Sequence, residues 1–385
     1  MEVRRIIHDA FGFYFVIDQT NIGHFRLRLS ERAPVQNSEE RGIDDAAVQF
    51  HSRAMLIDHA SDGIKAFTGI ITEAIAGDPG IILVDEPEAF LHPSLAFKLG
   101  LELSSAAGRS DKRVLASTHS PFFLMGCIQS GVPINIVRLT YRNGSATART
   151  LPSDEIVALM RNPLLRSTNV LAGLFSEFVV VTEADTDRAF YQEINERLLR
   201  FAPDKGVPNC LFLHAQNKQT IPTIVRPLRK LGIPAAAITD VDVLKDGGTV
   251  WSKLLDGTGF PEIEKSALST LRASVKSAMD ATGRNMKRDG GLSILSGQEL
   301  EGAENLIQRL ASYGVFVVPG GELECWLKQL GATGHGPAWL IQLFELMGED
   351  SETTGYVMPA EGDVWKFLEG VRGWLIDPTR RGIPS

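Results

Sequence analysis

The sequence predicts an α/β protein built on two parallel sheets, and three observations carry that expectation. Short apolar runs end abruptly in acidic residues, as in "IILVDE" (81–86) and "VVVTE" (179–183). Most such runs are followed by a stretch with helical spacing, the alternation that strand–helix–strand units require. The runs form two series, one within residues 1–172 and one within 173–385, the second interrupted by a largely helix-forming insertion at about 249–311.

Bulk properties frame this reading. At 385 residues the chain can hold two or three domains, each burying its own core. Hydrophobic residues at 44% and charged residues at 22% are those of an ordinary globular protein. The formal net charge of −8 gives no global attraction to nucleic acid, so such binding would need local basic patches. Cys127, Cys210 and Cys325 are scattered with no CxxC, which argues for a reducing compartment and against structural zinc. No run approaches about 18 apolar residues and no signal-peptide core is present, so a cytoplasmic protein without a membrane span is expected.

Along the first series, residues 3–32 alternate apolar and polar side chains and are expected to form antiparallel strands. "APVQNSEERGID" (33–44) reads as a loop, and a helix is expected after "ASDG" near 61. The strand at 81–85 is expected to be buried and to carry Asp85 and Glu86 to the carboxyl edge of its sheet. A helix follows near 94–107, then a second buried strand in "RVLASTHSP" that ends in His119. "NIVRLTYRNGSATART" predicts a hairpin turning at Asn143-Gly144, and 153–175 a helical region.

The second series is clearer. Strands are expected at 177–183, 210–215, 234–242 and 314–320, with helices in "DTDRAFYQEINERLLR" and in the Pro-interrupted "IPTIVRPLRKLG". Further helices should fill the C-terminal 60 or so residues.

Candidate chemistry lies at the ends of these strands. Asp85 and Glu86 have the form of a Walker B pair, Asp85 for a magnesium shell and Glu86 for the attacking water. A phosphate loop GxxxxGK[ST] would normally accompany it, and the chain contains no Gly-Lys dipeptide. Ser61, Gly63 and Lys65 precede the pair by one helix and resemble the signature motif of ABC-type ATPases. His119 then stands in the place of that family's switch histidine. Alone, His119 would be an ordinary turn histidine; signature, Walker B and switch in this order make an ABC-type ATPase the stronger reading.

In the second series Glu183 ends a strand, with Asp185 and Asp187 in the loop and first turn of the next helix, where acids also serve as simple caps. Asp240 and Asp242 sit two apart at the end of another strand, so the strand period sets both on one side. Such carboxylates repel unless a cation lies between them, and Mg²⁺ is the usual one for oxygen ligands. The arrangement resembles the Toprim domain of topoisomerases, primases and certain nucleases, with Ala184 where that family commonly has Gly.

An ABC-type ATPase followed by a Toprim domain resembles the overcoming-lysogenization-defect (OLD) family of nucleases. The resemblance spans the chain and implies the C-terminal part of the ATPase, its phosphate loop belonging to an N-terminal segment absent here, followed by a Rossmann-like Toprim sheet. It implies two Mg²⁺ or Mn²⁺ ions held by Glu183, Asp187, Asp240 and Asp242 with Glu322 and Glu324, and a catalytic lysine assigned to Lys366, with Lys328 as the alternative. It also implies ATP in the full-length protein, DNA as partner and a homodimer. Arg272, Lys276, Arg284, Lys287 and Arg288 are expected to track DNA phosphates, although a solvated helix face is an almost equal reading. Two rivals stand beside the endonuclease. A topoisomerase or primase would need a DNA-binding tyrosine domain or a zinc module. A non-catalytic ATP-gated module would use the acids for a structural ion only.

Overall fold

The structure, a computed structural model, describes residues 2–383 except 22, 143 and 152–169. The chain forms two compact units, residues 1–134 and 135–385. The expected helical region at 153–175 falls largely outside the described residues; its end, Val170–Phe175, is a 3₁₀ turn.

The first unit opens with helix α1 (Glu2–Phe11), not with a strand. Val3, Ile6, Ile7 and Ala10 recur at helical spacing, and Ile6 and Ile7 are fully buried, so burial on one helical stripe overrides the local alternation. Strands β1 (Tyr14–Asp18) and β2 (Arg26–Ser30) pair antiparallel as expected. The polar stretch that followed as a loop contains a short helix, α2 (Asn37–Arg41), and leads into α3 (Asp45–Arg53) and β3 (Met55–Leu56), the third strand of that sheet. Helix α4 (Asp62–Ala76) starts at a Ser61 cap. Strands β4 (Ile81–Asp85) and β5 (Arg113–Ser117) form a separate two-stranded parallel sheet connected through α5 (Pro93–Gly108), and α6 (Pro121–Gln129) follows β5.

Both strands were expected to be buried. Ile82 is, against α1, α4 and α5, but Ile81, Leu83 and Leu115 on the opposite face are 62%, 75% and 57% exposed. Two strands present a second face, and nothing among the described residues covers it. The helices α5 and α6 approach each other closely, because a Cβ at Gly100 would collide with the Phe123 carbonyl and one at Gly126 with the Phe97 carbonyl.

The second unit begins with the predicted hairpin, β6 (Ile136–Arg142) paired antiparallel with β7 (Ser145–Leu151). The hairpin thus lies with the second unit by contact, whereas the sequence reading sets the boundary at 172/173, just before the first strand of the parallel sheet. That sheet comprises β8 (Phe178–Thr182), β9 (Cys210–His214), β10 (Ala235–Thr239) and β11 (Val315–Val317), all parallel, in the order β11-β10-β8-β9. Every residue of β8 and β10 is buried, as a sheet covered on both faces requires. On one face lie α7 (Asp185–Phe201) and, from the C-terminal region, α12 (Pro337–Met347) and α13 (Asp363–Ile376). Helix α8 (Ile221–Lys230) connects β9 to β10. The insertion is helical as expected, α9 (Gly248–Gly257), α10 (Glu262–Ala281) and α11 (Gly297–Ser312), and its core includes Val315 and Val317 of β11.

Arg229 ties these layers together. Its guanidinium is fully enclosed, donating to the carbonyls of Ala235 (2.9 Å), Thr258 (2.6 Å), Tyr313 (2.8 Å) and Gly314 (3.3 Å), and it stacks over Trp374. Burial alone pulls its pKa down to about 9. Replacing it would leave several buried acceptors unpaired, each worth on the order of 1–3 kcal/mol. Arg229→Met should therefore destabilise the second unit by about 3 kcal/mol or more in urea melts followed by tryptophan fluorescence; an unchanged midpoint would show that the carbonyls find other partners.

Candidate metal centre and nucleotide edge

The order β11-β10-β8-β9 contains a reversal. From β8 the chain moves outward to β9, then returns past β8 to β10, so connections diverge between β8 and β10. In open parallel sheets the crevice at such a switch point, outside the carboxyl ends of the strands, is where ligands bind. Glu183 follows β8 and Asp240 follows β10, which places both at this crevice. The Asp240 N–H donates to Glu183 Oε1 at 3.0 Å.

Asp240 and Asp242 do not extend the strand, as had been expected. β10 ends at Thr239; Asp240 caps a 3₁₀ turn, Val241–Lys245, that contains Asp242. The turn, not the strand period, brings Asp242 back: one ligand oxygen each from Glu183, Asp240 and Asp242 lies within 4.8 Å of the others. A second group forms after β11, where Glu322, Glu324 and His335 approach within the same limit. His335 Nδ1 is 2.7 Å from Glu324 Oε1, which also accepts from the Gly336 N–H at 2.8 Å. Asp187, in the first turn of α7, accepts the Ala184 N–H at 2.9 Å and belongs to neither three-residue group.

Crowding of carboxylates shows in their protonation. Burial, reinforced by Asp240 and Asp242, pushes Glu183 up to about 8. Burial, with Asp240 and Glu324 nearby, raises Asp187 to about 7 against the opposing Ala184 N–H. Asp240 and Glu322 are also raised, chiefly by burial. Two lysines supply compensating charge. Lys218, just after β9, reaches Asp242 at 3.1 Å and Asp246 at 2.9 Å. Lys287 reaches Asp240 at 2.7 Å.

The expected phosphate-tracking cluster is otherwise largely occupied. Arg272 donates to the Leu244 carbonyl at 3.1 Å, Lys276 pairs with Asp280 at 2.5 Å one turn on, and Arg284 donates to the Asp289 carbonyl at 2.9 Å. Arg288 is exposed. Lys366 and Lys328 are exposed too, and among the described residues neither makes an ion pair with the acids. Sequence reading missed Lys218 and His335 as members of the site and named Lys287 only for DNA phosphates. Lys218 alone carried a signal, its position just beyond a strand at the sheet's carboxyl edge.

In the first unit, parallel pairing sets Asp85 opposite Ser117, whose hydroxyl donates to the Asp85 carboxylate. Glu86 adopts φ 45°, a left-handed conformation that is uncommon for a non-glycine residue. It lies 2.8 Å from His119 Nε2 through Oε1. Glu88, not singled out from sequence, fixes the switch segment by accepting from Thr118 Oγ1 (2.7 Å) and the His119 N–H (2.9 Å). Ser61 caps α4 by accepting the Ile64 N–H at 3.4 Å, and Gly63 is buried beneath the Phe90 carbonyl, which a Cβ would crowd.

A parallel sheet with acids at its switch point and a strand pair with a Walker-type edge together define a Toprim part and an ATPase part. Residues 174–242 match the overcoming lysogenization defect protein-like TOPRIM domain, and residues 18–125 match an AAA-domain family described with the AbiEii toxin of type IV toxin–antitoxin systems. The two matches follow each other along the chain, the ATPase part first and the Toprim part second. The Old nuclease of Escherichia phage P2 is 27% identical over 176 residues, covering 43% of this chain and 28% of the relative's length. A solved structure described under ATP-driven dimerization and DNA-stimulated activation of SMC ATPases aligns over 42% of this chain and 91% of its own at 12% identity, with a TM-score of 0.26. That likeness is too slight to bear on the fold.

The raised carboxyls predict a pH dependence. Metal-free folded protein keeps protons on Glu183 and Asp187 up to about 8 and about 7, whereas unfolded carboxyls, with model values of 4.5 and 3.8, have lost theirs. The folded state binds more protons across this window, so its stability should fall as pH rises from 5 to 8. In chelator, the melting temperature should drop over that range, and Mn²⁺ should restore it most at the alkaline end; Glu183→Gln should flatten the curve. A melting temperature that rises with pH in chelator would contradict the assignment.

Proposed function

We propose that the second unit is a divalent-metal-dependent nuclease acting on DNA. The observation that carries this reading is the pairing of two carboxylate-rich groups at the switch point of one parallel sheet. The donor set suits a hard cation: it is mainly carboxylate oxygen, and the buried Asp242 Oδ1 has no hydrogen-bond partner. Glu183, Asp240 and Asp242 would hold one ion; Glu322, Glu324 and Asp187 would hold a second, with His335 beside them. Bound divalent ions would activate the attacking water and neutralise charge on the phosphate and the departing oxygen.

The protein's own contribution is positional. The Asp240 N–H orients Glu183, and the Ala184 N–H orients Asp187. Lys218 holds Asp242 from the β9 side, leaving its second oxygen free for a ligand. The name of the phage P2 relative, Old nuclease, supports the reaction class. For the first unit, the His119–Glu86 contact supports a nucleotide-sensing edge, in which the histidine reports on the terminal phosphate.

Plasmid DNA incubated with this chain should be nicked with Mg²⁺ or Mn²⁺ and left intact in EDTA, with no requirement for ATP. Asp187→Ala and Asp240→Asn should each lower the rate about a hundredfold or more without changing the circular dichroism spectrum. Full cutting by either variant would overturn the assignment of these acids, and no metal-dependent cutting by the parent chain would favour a non-catalytic, structural-ion reading.

The nucleotide edge gives a separate expectation. Phosphates are cradled by the backbone N–H groups and lysine of a GxxxxGK[ST] loop, which this sequence does not contain. ATP should bind this chain only weakly in calorimetry despite Asp85, Glu86 and His119. Tight binding would show that another element cradles the phosphates.

A further inference from the structure

Lys287 was expected among the residues that track DNA phosphates, yet its side chain turns into the acid cluster. Its Nζ lies 2.7 Å from Asp240 Oδ2 and 3.8 Å from Glu322 Oε2, so it joins the two acid groups and belongs to neither. The segment that carries it is firmly held. The Lys287 N–H donates to Asn285 Oδ1 at 3.0 Å, the Asp289 N–H to the Asn285 carbonyl at 2.8 Å and the Gly291 N–H to the Met286 carbonyl at 2.9 Å, while Met286 is buried. The turn after β11 lies directly beneath. Gly321 has φ +119°, and a Cβ there would collide with the Lys287 carbonyl oxygen. Holding a long, flexible side chain in one place costs rotamer entropy that a solvent-facing lysine would retain.

The oxygens that hold this ammonium are among those a divalent cation would take. An ammonium and a metal ion cannot share them at contact distance, because like charges repel and each needs the same lone pairs. The geometry points to Lys287 as a resident counter-ion of the metal centre: it bridges Asp240 and Glu322 while the site lacks metal, and loading of divalent cations displaces it outward to where an incoming phosphate would lie. This rests on the reading of the second unit as a metal-dependent centre. Metal loading and substrate capture are then coupled through one side chain, because the charge that leaves the carboxylates becomes available to a phosphate.

Two measurements on the whole chain test it. Parent protein is acylated with an N-hydroxysuccinimide ester with and without saturating Mn²⁺, and modification at each lysine is read by peptide mass spectrometry. Lys287 should become several-fold more reactive with Mn²⁺, whereas Lys265, paired with Asp256 and Glu262 on the insertion, should not change. Calorimetric titration should show Mn²⁺ binding about tenfold tighter to Lys287→Met than to the parent, equivalent to about 1.4 kcal/mol, and near parent affinity for Lys287→Arg. If Mn²⁺ binds the parent but Lys287 reactivity is unchanged or lower, the lysine is not displaced and the inference fails, whatever the affinity of Lys287→Met. Equal Mn²⁺ affinity in parent and Lys287→Met would overturn it as well. If neither protein binds Mn²⁺, the metal-dependent reading falls, and the inference with it. The acylation arm uses only the parent chain, so a folding defect in a variant leaves the test intact.

Discussion

The second unit is organised by mutual repulsion among its carboxylates. The reversal of strand order between β8 and β10 creates a crevice, and the chain fills its rim with Glu183, Asp187, Asp240, Asp242, Glu322 and Glu324. Placed together under partial burial, these groups oppose one another, and Glu183 and Asp187 hold protons up to about 8 and about 7. The fold answers with backbone N–H donors to Glu183 and Asp187 and with an ammonium on Asp240 and another on Asp242. Everything around the site serves that balance: two buried strands fix its floor, and the loops from β9, the insertion and the post-β11 turn bring the compensating groups.

The insertion is therefore part of the site. Its helices share a core with β11 and with the 3₁₀ turn carrying Asp242, and the loop between α10 and α11 delivers Lys287. Arg229 reinforces the connection by joining the starts of β10 and β11 to the end of α9 through carbonyls that no other side chain among these elements is seen to satisfy.

Much of this was legible in the sequence, for physical reasons. Apolar runs such as Val179–Val181 and Ala235–Ile238 can be little else than strands covered on both faces, and acids immediately after them must lie at the sheet's carboxyl edge. The hairpin at 136–151 followed from its Asn-Gly turn. What failed was local pattern reading. Residues 3–11 satisfy both alternation and helical spacing, and packing of Ile6 and Ile7 decided for the helix. Asp240 and Asp242 come together beside Glu183, but through a 3₁₀ turn and not the expected strand end. The inward turn of Lys287 had no sequence signal, since its direction depends on a loop docked against residues thirty-odd positions later. Burial on both faces was likewise assumed for β4 and β5, and two strands alone could not supply it.

The close contact of α5 with α6 bears on how the first unit can move. Each helix follows one half of the nucleotide edge: α5 begins soon after Glu86 and Glu88, and α6 immediately after His119. Backbone meets backbone at Gly100 and Gly126, with no side chain between them to act as a bearing. Sliding or rotation of one helix against the other would drive carbonyl oxygens into main-chain atoms. Glu86 and His119 therefore travel as a single rigid jaw, and any change felt at one is conveyed to α5 and α6 as one block.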